Sequence, residues 1–402
     1  MAFRPEKLLD VAILEHTPDF MALENEWQDL YQNSPLVTPF QSWAWLYSWW
    51  ELYGKGYELR LITVRDRGLL VGLMPLMLER RRKTNWLLFI GTGRTSYLDI
   101  LVREGWEVQV AEAGAEALRR LPSWHLADLQ QMRAEAAAWS IFRQWTGPRA
   151  RIRQDDCSVI DAKPWDELVM SLSQNHRKIA RRSVRRVRED GVCCQTASPA
   201  DTERAARALV ALIREQWQER WQYTDPDLWS STFESHMVAA ARRMTAYGLG
   251  SISEFWRDGQ VIISNFLLFG NDFVAAYWAG ASKEALKRYS FSALYIWDMV
   301  NAAQSRDYAY MDVLRGEEPY KLRWKPRKVA NHRTMLGRKV ATFAPHAAYK
   351  ALYSTVARYI RSESSPRWAK DVRSKFILLR HKRQWRKARK QVASRQERSQ
   401  PS

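Results

Sequence analysis

Cysteine is scarce: three residues in 402, namely Cys157, Cys193 and Cys194. Adjacent Cys193 and Cys194 could bridge only through a strained ring, so there is no disulfide framework and a reducing compartment is expected. The seven histidines (His16, His125, His176, His236, His332, His346, His381) show neither the i, i+4 pairing of a zinc-protease helix nor a partnering C-x-x-C. No metal site is expected, and His176 and His332 read as structural or surface residues. There is no G-x-S-x-G elbow and no catalytic cysteine signature, which excludes nucleophilic triads of known pattern. Gly91-Thr92-Gly93 lacks the third glycine of a dinucleotide fingerprint and reads as a tight turn before a strand at Tyr97–Val102. Long apolar runs are missing as well. The most apolar stretch, Val261–Gly280, is cut by Ser264-Asn265 and Gly270-Asn271-Asp272 and reads as a hairpin. Arg4, Glu6, Lys7 and Asp10 interrupt the N-terminal segment, so no secretory signal is visible and a cytoplasmic protein is expected.

The chain is 46% hydrophobic and 27% charged, enough to bury a sizeable core and too apolar for a disordered chain. Its net charge of +19 is unevenly spread. Residues 350–402 hold 16 basic and 3 acidic side chains, and residues 176–190 hold 7 against 2, which leaves the rest nearly neutral. A protein that is basic throughout, of ribosomal or histone-like kind, is thereby excluded.

Two halves share one order of elements. In the first, helical patterns over Pro18–Tyr31 and Ser42–Tyr53 precede extended runs at Glu58–Val64 and Leu69–Leu78, joined by Arg65-Asp66-Arg67-Gly68. In the second, helical patterns over Asp201–Trp217 and Asp225–Met244 precede runs at Gly250–Trp256 and Val261–Phe269, joined by Arg257-Asp258-Gly259-Gln260. Asp and Gly supply the turn chemistry, and the repetition predicts a duplicated α/β unit with antiparallel sheet. The second half continues through Phe273–Ala281, a helix at Phe291–Ser305 and a strand at Tyr308–Leu314, a crossover whose strand-to-helix loop is a natural phosphate site. Past Pro345 the pattern loosens. Ser362–Pro366 is a break and Arg380–Arg398 reads as a partly helical basic tail. The expected units are 1–160, 161–345 and a tail at 346–402.

Two segments carry chemistry. In Asn175–Glu189, helical periodicity gathers Arg177, Lys178, Arg181, Arg182, Arg185, Arg186 and Arg188 on one half of the circumference, with Ile179, Ala180, Ser183, Val184 and Val187 on the other. That face is either a solvated helix back or a clamp for a phosphorylated acceptor, RNA or acidic lipid heads. In Asp312–Trp324, a strand ends in an acid, Arg315-Gly316 allows a turn, and Glu317, Glu318, Tyr320, Lys321 and Arg323 crowd one loop. Packing seldom demands so many ionisable types after a buried strand, whereas a site at a strand's carboxyl end does. Asp312 is either a site residue or the partner of Arg315 or Lys321, and Tyr320 and Trp324 are either site residues or lids on the sheet. Trp43, Trp45, Trp49 and Trp50, at near-helical spacing, read as core.

The Asp312–Trp324 segment resembles the end of the acetyltransferase domain in GNAT-superfamily acyltransferases of the BioF2-like, CelD/BcsL-like (cellulose biosynthesis-type) group, themselves similar to FemAB-type peptidoglycan aminoacyl transferases. Supporting matches are Thr38-Pro39-Phe40 with Trp43, the Trp49-Trp50 pair, Leu73-Met74-Pro75-Leu76 and Asn175-His176-Arg177. The resemblance spans about residues 20–340. It implies an α/β (α+β) fold of tandem GNAT-like units, each a mixed, mainly antiparallel sheet flanked by helices. It also implies an acyl-CoA co-substrate, acetyl-CoA foremost, and an amine acceptor near the interface. The pyrophosphate loop of such domains falls here on Lys287, Arg288, Tyr289, Ser290, Phe291 and Ser292, which lack its glycines. Asp312 or Glu317 would then be the base. Tyr320 would protonate the departing thiolate, Lys321, Arg315 and the Arg177, Arg181 and Arg185 face would orient the acceptor, and Trp324 would help bind it.

Three functions compete on this footing. The first is an acyl-CoA-dependent N-acyltransferase acting on a small or lipid-linked amino-sugar precursor of envelope or exopolysaccharide. The second is a FemAB-like transferase using aminoacyl-tRNA, the one case in which nucleic acid would be a partner. The third is a non-catalytic protein that docks on membrane or nucleic acid through the basic helix and tail. Residues 350–402 would then hold the protein at the inner face of an anionic membrane, unless they are simply a solvated tail.

Overall fold

The computed structural model describes residues 9–218, 225–316 and 318–361. The first half begins with β1 (Asp10–Leu14), α1 (Thr17–Ala22), α2 (Glu24–Gln32) and α3 (Trp43–Tyr53). It continues with β2 (Glu58–Asp66), β3 (Leu69–Arg80), β4 (Asn85–Phe89) and the short β5 (Leu101–Val102). Then come α4 (Glu107–Arg120), β6 (Leu126–Arg133), α5 (Trp139–Gln144) and β7 (Arg149–Arg153). The second half opens with β8 (Cys157–Asp161), α6 (Trp165–Met170), α7 (Gln174–Glu189), β9 (Cys193–Thr196), α8 (Thr202–Trp217) and α9 (Ser231–Ala246). It proceeds through β10 (Gly250–Arg257), β11 (Gln260–Phe269), β12 (Phe273–Ala281), α10 (Lys283–Arg288), α11 (Phe291–Gln304) and β13 (Tyr310–Arg315). The chain closes with α12 (Pro319–Leu322), β14 (Arg327–Val329), β15 (Asn331–Gly337) and α13 (Val340–Arg361).

The two sheets repeat one plan. The first runs β1-β2-β3-β4-β6-β15-β7, with β5 beside β3, and the second β9-β10-β11-β12-β13-β8-β14. In each, the fourth and fifth strands are the parallel pair, β4 with β6 and β12 with β13. A helix makes each crossover, α4 in one and α11 in the other, as parallel neighbours require. The duplicated, helix-flanked, mainly antiparallel units expected from the sequence are therefore present. The sixth strand of each sheet comes from outside its own run: β15, late in the chain, sits between β6 and β7, while β8 sits between β13 and β14.

Local sequence explains the elements. At the β2–β3 and β10–β11 turns, Arg67-Gly68 and Asp258-Gly259 all take positive φ (49°, 87°, 50° and 74°), as tight hairpins with right-twisted strands demand. Helix α3, Trp43 to Tyr53, is capped by Ser42, whose hydroxyl accepts the Trp45 N–H at 3.2 Å. Its four tryptophans are all buried, so they are core. Helix α7 buries Ala180, Ser183, Val184 and Val187 against α11 and its surroundings, but Ile179, grouped by periodicity with that face, is exposed. The strand expected at Tyr97–Val102 shrinks to Leu101–Val102. The rest of that segment is an irregular loop from Gly91 to Ile100, pinned by buried hydrogen bonds. Within it Asp99 accepts backbone N–H groups from Ile100 (2.9 Å), Ala137 (2.7 Å) and Ala138 (2.9 Å).

Asp99→Ala leaves three buried donors unmatched. Unfolding in urea is expected to show a loss of about 3 kcal/mol, and an unchanged midpoint would refute this account of the loop.

Candidate active site

The site begins where β12 and β13 part. The two strands pair only over Phe273–Tyr310, Val274–Met311 and Ala275–Asp312, so beyond Ala275 the edge of β12 facing β13 has no strand partner. On the other side of β13, register with β8 breaks between Asp312 and Arg315. Leu314 there takes φ +57°, rare for a branched residue, and its N–H donates to Asp312 Oδ1 at 2.7 Å. This bend turns the chain into the Arg315–Leu322 segment. Lys321 is buried and donates from Nζ to the Arg315 carbonyl at 2.8 Å, and it pairs with Glu318 at 3.0 Å.

The opposite wall comes from the first unit. The Gly91–Ile100 loop reaches across: the Arg94 carbonyl accepts from Tyr277 Oη at 3.1 Å, and the Arg94 guanidinium pairs with Asp227. Tyr97 Oη donates to Asp312 Oδ2 at 2.6 Å. Asn331, the first residue of β15, donates from Nδ2 to the Ser96 carbonyl and to Gln131 Oε1, both at 3.0 Å, and lies 3.5 Å from Cys157 Sγ. A cavity of about 320 Å³ opens at this junction, lined by Tyr97, Arg133, Glu135, Tyr310, Asp312 and Arg327 among others. Arg133 sits over the Tyr97 ring at 5.5 Å and pairs with Glu135 at 3.3 Å. A larger hollow, about 450 Å³, lies along α9 beside Glu51 and Arg243. Arg243 is already tied to Glu51 and Ser48 there, and the hollow lacks a buried acid.

Burial raises two carboxyls here, Asp99 and Asp312, each to about 6, but Asp99 is spent on three backbone N–H groups and Asp312 is the one that lines the cavity. Only 2% exposed, it is pushed up to about 6 by burial, even though the Tyr97 hydroxyl, the Leu314 N–H, Arg133 and Lys321 favour the ionised form. A carboxylate that titrates near neutrality and borders a cavity has the properties of a proton acceptor. Cys157 is different: burial and the neighbouring Asp312 charge push its thiol up, which keeps it protonated and a poor nucleophile.

The other expected site residues divide by position. Arg315 and Lys321 stand in the segment directly after Asp312. Tyr320, on α12, turns its ring edge to Tyr295 of α11 at 6.4 Å, and burial raises its hydroxyl. Trp324 is core, 5.8 Å from Trp165. Glu317 lies outside the described residues. In the Lys287–Ser292 loop, Lys287 is exposed, Arg288 pairs with Asp190, and Tyr289 is buried with its hydroxyl on Asp190 at 2.6 Å. The Ser290 N–H at the start of α11 donates to Ser183 of α7 at 3.0 Å, while Phe291 and Ser292 form the first turn. Helix α7 thus packs on the Lys287–Ser292 segment and does not reach the Asp312 cavity, whose cations are Arg133, Arg327 and Lys328. Arg177 is spent on the carbonyls of Met170 (2.7 Å) and Leu172 (3.3 Å), Arg181 lies against Met170, and Arg185 pairs with Glu189 at 3.2 Å. Among the described residues no cluster of His, Cys, Asp or Glu is arranged to hold a metal ion.

Sequence reasoning missed Tyr97 and Arg133. For Tyr97 the available signal was its place, with Arg94, in a glycine-bearing loop after the buried run Trp86–Ile90; Arg133, the last residue of β6, offered none.

Comparison with known proteins agrees with the topology. Residues 174–322 match the family described as "Acetyltransferase (GNAT) domain". No curated protein matches the sequence. Among solved structures, FemX aligns with TM-score 0.55 at 12% identity, over 80% of this chain and 96% of that one. The C-terminal DUF2156 domain of a putative lysylphosphatidylglycerol synthetase from Agrobacterium fabrum aligns with TM-score 0.53 at 10% identity (82% and 96%). L-PGS from Bacillus licheniformis aligns with TM-score 0.51 at 10% identity (81% and 96%).

The Tyr97–Asp312 bond has a measurable sign. Tyr97→Phe removes a donor to the ionised carboxylate and is expected to raise Asp312 further above 6. Its stability loss should reach about 2 kcal/mol near pH 8 and shrink at a pH well below 3.8, where the carboxyl is protonated in folded and unfolded chains alike. Equal losses at both pH values, measured by urea unfolding, would contradict the assignment.

Proposed function

We propose that this chain, whose residues 174–322 form a GNAT-type domain within a FemAB-related fold, transfers an acyl group from an activated carrier to an amine held between its two units. The observation that carries this reading is the near-neutral carboxyl of Asp312, placed at the last paired position of β12 and β13 on the wall of the inter-unit cavity. Direct transfer needs no covalent intermediate on the enzyme. The amine, ordinarily protonated like lysine, gives its proton to Asp312, directly or through water, and attacks the acyl carbon. A C–N bond forms as the bond to the carrier breaks. An N–H on the unpaired edge of β12 past Ala275 steadies the oxyanion. Tyr320, kept neutral by burial, donates a hydrogen bond to the departing thiolate, which takes up the second proton shed by the attacking nitrogen, passed through water. Lys321 and Arg315 hold the turn that fixes Asp312, and Arg133 and Arg327 suit an acceptor with anionic groups, such as a phosphorylated amino sugar of an envelope or exopolysaccharide precursor.

The donor of this reading is an acyl-CoA. Its phosphates would lie at Lys287–Ser292, where α11 begins, and its thioester at the parting of the strands. The six-residue step from Ala275 to Ala281 covers about 20 Å at strand rise, a distance suited to a long thiol arm. One observation favours the aminoacyl-tRNA alternative: Ser183 takes the Ser290 N–H and Asp190 neutralises Arg288, which leaves a poorer pyrophosphate site than a glycine-lined loop. Protection of Lys287–Ser292 from hydrogen exchange by acetyl-CoA supports the first donor. RNA binding that falls steeply with salt, and collapses when Arg182, Arg185 and Arg188 are neutralised, supports the second.

Asp312→Asn tests the core of the reading. With acetyl-CoA and a panel of amino sugars, CoA release by the parent is expected to rise with pH through about 6, as Asp312 ionises. The variant should lose that limb together with about a hundred- to ten-thousand-fold in kcat/KM. A variant with an unchanged rate and pH profile would end the proposal.

A further inference from the structure

Helix α13 carries apolar residues on the side where a surface helix is normally polar. Its inner side packs on the first sheet. Phe343, Ala347 and Ser354 are buried, His346 lies edge-on to Trp86 at 5.2 Å, and Lys350 Nζ approaches Asp128 at 3.8 Å. On the outer side, at spacings of three and four, stand Tyr349 (63% exposed), Leu352 (66%), Val356 (45%) and Tyr359 (53%), with Tyr353 (37%) alongside. From Ala341 to Ala357 the only Lys, Arg, Asp or Glu is Lys350, which is turned inward. A contiguous apolar stripe of this size on the outside of a soluble domain marks a contact surface.

Charge decides which contact. Arg358 stands in the last turn of the stripe, Arg361 follows in sequence, and residues 362–402 add 13 basic side chains against 3 acidic ones. Interleaved with these cations are Trp368, the run Phe376-Ile377-Leu378-Leu379 and Trp385. A second copy on the stripe would bring two such cationic segments together, and this chain's own tail folded over it would leave them without counter-charge. An anionic bilayer satisfies both demands, since headgroups neutralise the cations and the acyl boundary accepts Leu352 and Val356. Three of the five stripe residues are tyrosines, whose apolar ring and polar hydroxyl suit that boundary. Among the described residues no helix is long and apolar enough to cross a membrane, so the stripe must lie along the surface.

We propose that α13 rests in the face of an anionic lipid bilayer, with the Tyr349–Tyr359 stripe immersed at headgroup depth and Arg358 at the lipid phosphates, the basic sequence that follows adding charge of the same sign. This inference does not depend on the acyl-transfer reading. The test is sedimentation of the full chain with phosphatidylcholine vesicles, with and without phosphatidylglycerol. The parent should bind the anionic vesicles and leave the neutral ones. Leu352→Glu combined with Val356→Glu should cut partitioning at least tenfold, and Tyr349→Ser should weaken it in the same direction. Both variants should keep the parent's melting temperature without lipid, because the substituted side chains are exposed. Four results would overturn the proposal. They are no binding by the parent, variants that bind as well as the parent, a parent dimer that the double variant dissociates, and a lipid-free melting temperature lowered by the double variant, which would reveal the tail as occupant.

Discussion

The first sheet holds a strand, β15, that the second half of the chain supplies, and the rest of the architecture depends on it. β15 is hydrogen-bonded on both sides within the first sheet, to β6 and β7, and β8 on both sides within the second, to β13 and β14. Pulling the units apart by any large amount would strip a central strand from a ladder and leave rows of buried N–H and C=O groups unmatched, which costs far more than a surface contact. The cleft between the units is therefore part of the fold. A carboxylate on one wall and a phenol on the other can hold a 2.6 Å hydrogen bond because the strand carrying Asp312 and the loop carrying Tyr97 are tied together through β15, whose Asn331 binds the Ser96 carbonyl.

Within that frame, burial outweighs charge at Asp312. Two cations and two hydrogen-bond donors favour the carboxylate, yet its titration rises from 3.8 to about 6. At about 1.4 kcal/mol per pH unit, desolvation exceeds all the favourable terms by about 3 kcal/mol. The linkage follows from the direction of the shift: ionised Asp312 is disfavoured in the folded chain, so its contribution to stability declines as pH rises from about 4 to about 6. A residue that costs stability at neutral pH, beside a bend at Leu314 that a branched side chain resists, is what a site shaped for chemistry looks like. The cations of α7 show the contrast. Arg185 with Glu189, at 69% and 59% exposure, is a solvated pair of small energetic weight.

What could be read from the sequence follows the range of the interaction concerned. Arg67-Gly68 and Asp258-Gly259 announce their hairpins because turn chemistry is local, and the crossover from β12 through α11 to β13 follows from alternation and helical spacing. Crowded ionisable residues from Asp312 to Lys321 stood out for the same reason. The loop around Tyr97 carried a local signal, but its partner could not be read, since that contact lies 215 residues away. Nor could the crossing of β15 into the first sheet: Cys157–Asp161 and Asn331–Gly337 look like strands, but nothing in five or seven residues states which sheet will take them. The amphipathic character of α7 was visible, whereas the direction it faces was not. Its inner half packs against Tyr289 and Leu294, so its cations lie beside the start of α11 and away from the cleft.

That crossing strand also ties the interior of the molecule to its surface. β15 starts at Asn331, bonded to Ser96 beside Tyr97, and ends at Gly337, three residues before α13 begins. The six steps from Asn331 to Gly337 span about 20 Å, with one register shift against β6 between His332 and Thr334. Helix α13 is in turn fastened to the same sheet by Ser354 on the Arg153 carbonyl, by Lys350 at Asp128 and by His346 against Trp86. The outer stripe of α13 therefore stands in a fixed relation to the Asp312 cleft, because both are set by one strand. Whatever surface the stripe rests on meets the cleft at a constant distance and angle. An acceptor anchored in that surface would reach Asp312 by its own length, without any rearrangement of the two units.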